Sequence, residues 1–370
     1  MIASKFARGA VLLVGLGIAL AACSAPNHAG DQVSPHGADA IVHASIGAGL
    51  PWVQFADGHT AVSTDAGVTW RALHAPQAPA PGASIAMAGR TLTVAALSAT
   101  ALTVQRSSDG GASWTNETHE LSQAADSANV VASADGRQVA VAATLPGSSG
   151  STDGHATLLV GPANGRLTER DTPGTAEVAW SGQQLLMPGG PLRSRLYLSS
   201  DEGQSWAAQP VAGPVAPEHD VAPDQPVFGT PVSLGGAAVV PVTSYAGAQA
   251  TAVLYRTVDG VRFEQLGELA LGDGDIGPGV SLAASPYGAD AVVVADPFST
   301  ELHVFAGGRQ TSVAGKGLPG PVDSLSFQSA TDGLAQVTVA GCAHGKTDCT
   351  EELRVYRTSD GGASWQRTTP

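Results

Sequence analysis

Four eight-residue segments of the chain align without a gap: Ser63–Trp70, Ser107–Trp114, Ser199–Trp206 and Thr358–Trp365. All obey one pattern, Ser or Thr, any residue, Asp, any residue, Gly, any residue, Ser or Thr, Trp. A fifth, Thr257–Phe263, is one residue shorter and ends in Phe. Internal repetition constrains architecture more tightly than any other feature of a sequence. The chemistry of the pattern is that of a hairpin turn. An Asp carboxylate accepts hydrogen bonds from the N–H groups of its own turn, and the hydroxyls do likewise. The glycine two residues on (Gly67, Gly111, Gly203, Gly362) supplies a positive φ that other residues resist. The indole opens the next strand and lies over the turn. Four of the six tryptophans hold this one position. Asp65, Asp109, Asp201, Asp259 and Asp360, with Trp70, Trp114, Trp206, Phe263 and Trp365, are therefore expected to be folding elements and not catalytic groups.

Spacing gives the number of units. Successive aspartates lie 44, 92, 58 and 101 residues apart, and each double gap implies one degenerate repeat. Val160–Arg166 fits the first, with Asn164 standing in for part of the Asp's work. Phe305–Gln310 fits the second. Seven units over residues 40–370 are about 47 residues each, the size of a four-stranded propeller blade. The expected fold is all-β: one seven-bladed β-propeller of four-stranded antiparallel blades, with six or eight blades as the alternatives. In every unit the repeated turn joins the third and fourth strands. The expected innermost strands are 83–88, 129–133, 176–181, 227–234 and 280–284. First and last units each parse as complete, so the ring is expected to close by side-chain packing and not by a shared strand.

The first 22 residues read as an address. Lys5 and Arg8 precede an uncharged apolar run, Gly9–Ala22, too short to span a membrane and typical of a secretory signal. Leu20-Ala21-Ala22-Cys23 resembles a lipobox, in which Cys23 is lipidated and becomes the mature N-terminus. Residues 23–39, the lipidated Cys and a Ser-, Pro- and Gly-containing tether, then lead to the propeller at 40–370. One lipid-bearing cysteine anchors a protein to a bilayer without spanning it, so an extracytoplasmic, membrane-anchored monomer is expected. The remaining Cys342 and Cys349 read as a disulfide across a small loop in an oxidising compartment. A metal site there would need more ligands than His344 and Asp348 supply. Without Lys5 and Arg8 the mature chain sets 16 basic residues against 32 acidic ones. That balance excludes nucleic acid as a partner.

The repeat resembles the Asp-box (BNR) repeat, and the resemblance covers nearly all of residues 40–370. It implies kinship in fold with sialidases, sortilin-type receptors, some glucanases and photosystem II assembly factors, whose blades open much as Ser326–Gly333 does here. The repeat specifies turns, not activity. A sialidase would need an arginine triad to hold the substrate carboxylate, and the expected inner strands hold no arginine and one carboxylate, Glu177. Other glycosidases need two carboxylates set about 5–10 Å apart. Glu177, Asp323, Asp273 and Asp275 are the candidates, and no spacing singles out a pair. No catalytic residue, metal ligand or cofactor is assigned.

The reading is a non-catalytic, envelope-anchored platform for a protein or glycan partner, with a divergent glycoside hydrolase as the alternative. Its partner surface is expected on the connections between blades and between second and third strands. Glu218, His219, Asp220 and Asp224 mark one long Pro-rich connection, and Asp273 and Asp275 a second.

Overall fold

In a computed structural model the described residues are 40–46, 50–76, 84–88, 90–146, 155–190, 193–211, 226–246, 249–271, 282–287, 290–342 and 349–369. They belong to a unit spanning 36–370; a separate unit, 1–35, lies outside them. The signal segment, Cys23 and the tether therefore fall outside the described residues, as do Glu218, His219, Asp220, Asp224, Asp273 and Asp275.

The 29 described strands form seven antiparallel sheets, each built from consecutive strands. The sheets are the blades of a seven-bladed β-propeller, running 41–72, 84–120, 127–170, 179–209, 227–270, 284–314 and 324–367. They are called blades 1 to 7 below. Each has four strands in sequence order, except that the inner strand of blade 5 is split into Val227–Phe228 and Val232–Leu234. No strand is shared between blades 1 and 7.

The apolar core is not one body. It divides into seven clusters, and each is the seam between two neighbouring blades. Strand periodicity explains this. Side chains alternate between faces along a strand, so on the second strand of blade 3 Val139 and Val141 face blade 2 while Ala140 and Ala142 face blade 4. A strand buried on both sides reads as an unbroken apolar run, which is what Val139–Ala143 shows within the strand Gln138–Leu145. Outer strands face solvent and are polar, as in Thr115–Glu120 and Arg309–Ala314. Around the axis, inner-strand serines stitch blades together. Ser84 Oγ accepts from Val130 N at 3.2 Å, Ser233 Oγ from Trp180 N at 3.0 Å and Ser285 Oγ from Phe327 N at 2.7 Å.

Several strands differ from their expected bounds. Blade 6 begins its inner strand at Ala284–Pro286, where 280–284 was expected, and blade 4 at Ala179–Ser181 instead of 176. The fourth strands of blades 1 and 7, expected over 69–73 and 364–368, are Arg71–Ala72 and Gln366–Arg367, because the second hydroxyl residue and the Trp belong to the turn. In blade 5, Gly229 N continues the ladder to the Pro241 carbonyl at 2.8 Å, and the register then slips by one residue before Val232 pairs with Val239, which splits the inner strand.

Candidate functional site

The repeated turns are built alike. In blade 4, Ser199 Oγ donates to Asp201 Oδ1 at 2.8 Å while accepting from Gly203 N at 2.7 Å. Asp201 also receives Ser205 N at 2.9 Å and Ser205 Oγ at 2.6 Å. The same four bonds recur around Asp65, Asp109 and Asp360. In the shortened turn of blade 5, Asp259 takes two backbone N–H groups, Val261 and Arg262, and a longer bond from Thr257. Donors aimed at a carboxylate favour its charged form. The hydroxyl of Ser205, then its N–H and the Ser199 hydroxyl, hold Asp201 down to about 2. Asp65, Asp109, Asp259 and Asp360 are lowered in the same way, the side chains of Thr69, Ser113 and Ser364 being the leading cause in three and the Arg262 N–H in Asp259. These carboxylates are locked anions within turns and are not available as proton donors near neutral pH.

The glycines do more than adopt positive φ. A Cβ on Gly67 would lie 2.6 Å from Leu334 of blade 7, and one on Gly362 would lie 2.7 Å from Leu302 of blade 6. Gly203 sits against Leu158 of blade 3, and Gly260, the residue after the Asp in the short turn, against Leu198 of blade 4. Four of the five turns are thus seated on a leucine of the preceding blade, while Gly111 of blade 2 faces only Leu92 and Trp114 of its own blade. Trp114 and Trp365 cap their own turns, donating from Nε1 to the Gly111 and Gly362 carbonyls. Trp206 instead reaches Asp171 O in blade 3 at 3.1 Å.

Asn164 does not take over the Asp's work in the degenerate turn of blade 3. That turn is held from blade 2: Arg106 donates to the Gly165 carbonyl, and Glu117 Oε2 accepts from Leu167 N at 3.3 Å. In the other degenerate turn, Gly307 and Gly308 join strands Glu301–Ala306 and Arg309–Ala314, as expected.

Residues at or beside the inner strands of blades 2, 3, 5, 6 and 7, with Leu50, Pro51 and Thr64 of blade 1, surround an axial cavity of about 440 Å³. Its wall includes Leu50, Met87, Val131, Val232, Leu325 and Phe327, with hydroxyls from Thr64, Ser233, Ser285 and Ser326. Among the described residues this wall holds no charged side chain. The two described carboxylates singled out from sequence are engaged elsewhere. Glu177 Oε1 lies 3.3 Å from Arg193 Nη1, and Asp323 Oδ2 accepts from Thr338 N at 2.6 Å. Among the described residues no group of three His, Cys, Asp or Glu is placed to hold a metal ion. The strand register sets Cys342 opposite Cys349 across one hairpin of blade 7.

A second family of carboxylate turns went unread in the sequence. Ser133 donates to Asp135 at 2.7 Å and Ser329 to Asp332 at 3.0 Å, both between first and second strands. The spacings Ser-x-Asp-Gly at 133–136 and Ser-x-x-Asp-Gly at 329–333 differ from each other and lack a following Trp to mark them.

No family of known sequences matches the chain, and no curated protein does. Solved structures match its fold. An ancestral GH74 enzyme aligns with a TM-score of 0.50 and 10% identity, over 90% of this chain and 55% of that one. A puromycin hydrolase variant aligns with a TM-score of 0.50 and 11% identity, over 92% of this chain and 56% of that one. The chain thus spans little more than half the length of these two. YCF48 bound to D1 peptide aligns with a TM-score of 0.43 and 14% identity, over 78% and 83%. Similarity at this level speaks for the propeller alone.

Proposed function

We propose that the chain is a non-catalytic propeller, lipid-anchored through Cys23 outside the cytoplasm, that presents a binding platform to a protein or glycan at the cell envelope. Its repeated turns are Asp-boxes. The observation that carries the non-catalytic reading is the axial wall: where six blades meet, the described side chains are apolar or hydroxyl-bearing, apart from the uncharged amide of Gln328. Glycoside hydrolysis works through a pair of carboxylates that share one substrate bond. Glu177 faces an arginine and Asp323 a strand N–H, so each has a structural partner in place. The lipobox-like tetrad and the strongly acidic mature chain support an exported protein whose partner is neither nucleic acid nor an anionic headgroup.

The test uses the full anchored protein. Crosslinking in intact envelopes, followed by affinity capture, is expected to recover a specific protein or glycan, and a panel of glycans is expected to remain uncleaved. Hydrolysis of any of them that Glu177→Gln or Asp275→Asn abolishes would overturn the proposal in favour of a divergent glycoside hydrolase.

A further inference from the structure

The residue just before the turn's first hydroxyl is an arginine in three blades: Arg106, Arg256 and Arg357. In blade 2 this arginine crosses the seam. Arg106 donates to the Gly165 carbonyl in the turn of blade 3 and pairs with Glu117 at 2.7 Å. In blade 5, Arg256 faces Asp290 of blade 6 at 3.6 Å. In blade 7, Arg357 stays within its own blade, 3.4 Å from Asp332, and its buried Nε has no acceptor. The neighbour it faces is blade 1, across the seam that closes the ring. A cavity of about 260 Å³ lies there, between Gly67 and Val68 on one side and Arg357, Ser359, Arg367 and Thr368 on the other.

The charges around this cavity are specific. Arg367 and Arg354 share one carboxylate, Glu352, each at 2.6 Å. That group of three carries one positive charge in excess. Asp332 faces Arg357 but also takes the hydroxyls of Ser329 and Thr331. Asp360 opposes from within its turn, where Thr358 and Ser364 fill its oxygens. The wall itself holds two guanidinium groups, hydroxyls and an amide, and no carboxylate.

We propose that the cavity between blades 7 and 1 binds a small oxyanion, the phosphate, sulfate or carboxylate group of a ligand, bridging Arg357 and Arg367. Guanidinium donors match such groups in pairs, and Ser359 and Thr368 supply further donors. The anion takes the place that the Gly165 carbonyl holds between blades 2 and 3. It gives Arg357 Nε an acceptor, held by blade 7 against the wall that Gly67 and Val68 of blade 1 provide. Because the site exists only when the ring is closed, occupancy stabilises the folded state by linkage.

The experiment titrates inorganic phosphate, sulfate and acetate separately into the mature protein, with chloride holding ionic strength constant. Thermal midpoint and calorimetric heat of binding are read together. The expected result is a saturable rise in midpoint with at least one of the three anions. Comparing the arms separates a tetrahedral anion from a carboxylate. Arg367 is half exposed, so Arg367→Gln is expected to fold and to weaken half-saturation at least tenfold. Arg106→Gln, at the equivalent position in blade 2, is expected to keep the response. Absence of any binding heat, a rise that never saturates, or a response undiminished in Arg367→Gln overturns the site and leaves only a general salt effect.

Discussion

At the scale of the residue, the turn glycines answer two demands, positive φ and a close seat on a neighbour, that can be measured apart. Gly111 and Gly362 hold the same position with φ of 99° and 91°. A Cβ on Gly111 would meet only ordinary contacts, whereas one on Gly362 would press on Leu302, which is fully buried. Left-handed backbone costs an L-residue about 1–2 kcal/mol, and overpacking a closed core adds about 1–3 kcal/mol. Gly111→Ala should therefore destabilise by about 1–2 kcal/mol, and Gly362→Ala by at least about 1 kcal/mol more, as read from denaturant midpoints. The turn carboxylates predict a pH effect with a definite sign. A group whose pKa is lower in the folded state stabilises fully above its unfolded value, and that contribution is lost as pH falls through the folded value. With unfolded Asp near about 3.9 and Asp201 at about 2, the loss falls between pH 4 and 2. The thermal midpoint should drop across that window, and by less in Ser205→Ala, which lacks the leading donor to Asp201.

At the scale of the element, the turns were legible in the sequence because everything that builds them lies within eight residues. Ser199, Asp201, Gly203 and Ser205 bond to one another, so their spacing contains their geometry. Their seating was not legible. Which leucine lies under Gly67 depends on Leu334, 267 positions away, and no local pattern encodes that pairing. The turn of blade 3 makes the same point from the other side. Lacking an Asp, it takes its bonds from Arg106 and Glu117 of blade 2, so reading Asn164 as a substitute looked for a local answer to a tertiary one. Arg106→Met should leave Gly165 O without this donor and cost about 1–3 kcal/mol, typical of a lost hydrogen bond to a charged group. Amide exchange should quicken around 163–167 and stay unchanged in the turn at 201–205. Inner-strand ends also escaped the sequence, because split or short strands such as Val227–Phe228 leave no clear alternation to read. The hairpin of blade 7 offers a further check. Its register sets Cys342 against Cys349, and a disulfide there predicts no thiol at either position that reacts with a maleimide until a reductant is added.

At the scale of the whole molecule, seven seams hold one ring, and only one of them joins chain segments distant in sequence. Blades 7 and 1 meet through Val53, Phe55, Leu334 and Val355 and through the seat of Gly67 on Leu334. This is the seam expected to open first, since the loop it closes is the longest and its closure entropy the largest. Hydrogen exchange should find the amides of Gly67 and Thr69 less protected than those of Gly203 and Ser205, although each pair makes the same bonds within its turn. Equal protection would show that the ring opens as one cooperative unit.

The seating of four of the five turn glycines on a leucine of the preceding blade has a wider implication. A blade seated in this way carries a socket on one flank and the matching plug on the other, so a copy of it inserted in tandem arrives able to dock at both sides. Growth by duplication then requires no new chemistry, and the tally of copies is limited by the wedge angle that brings the last one round to the first.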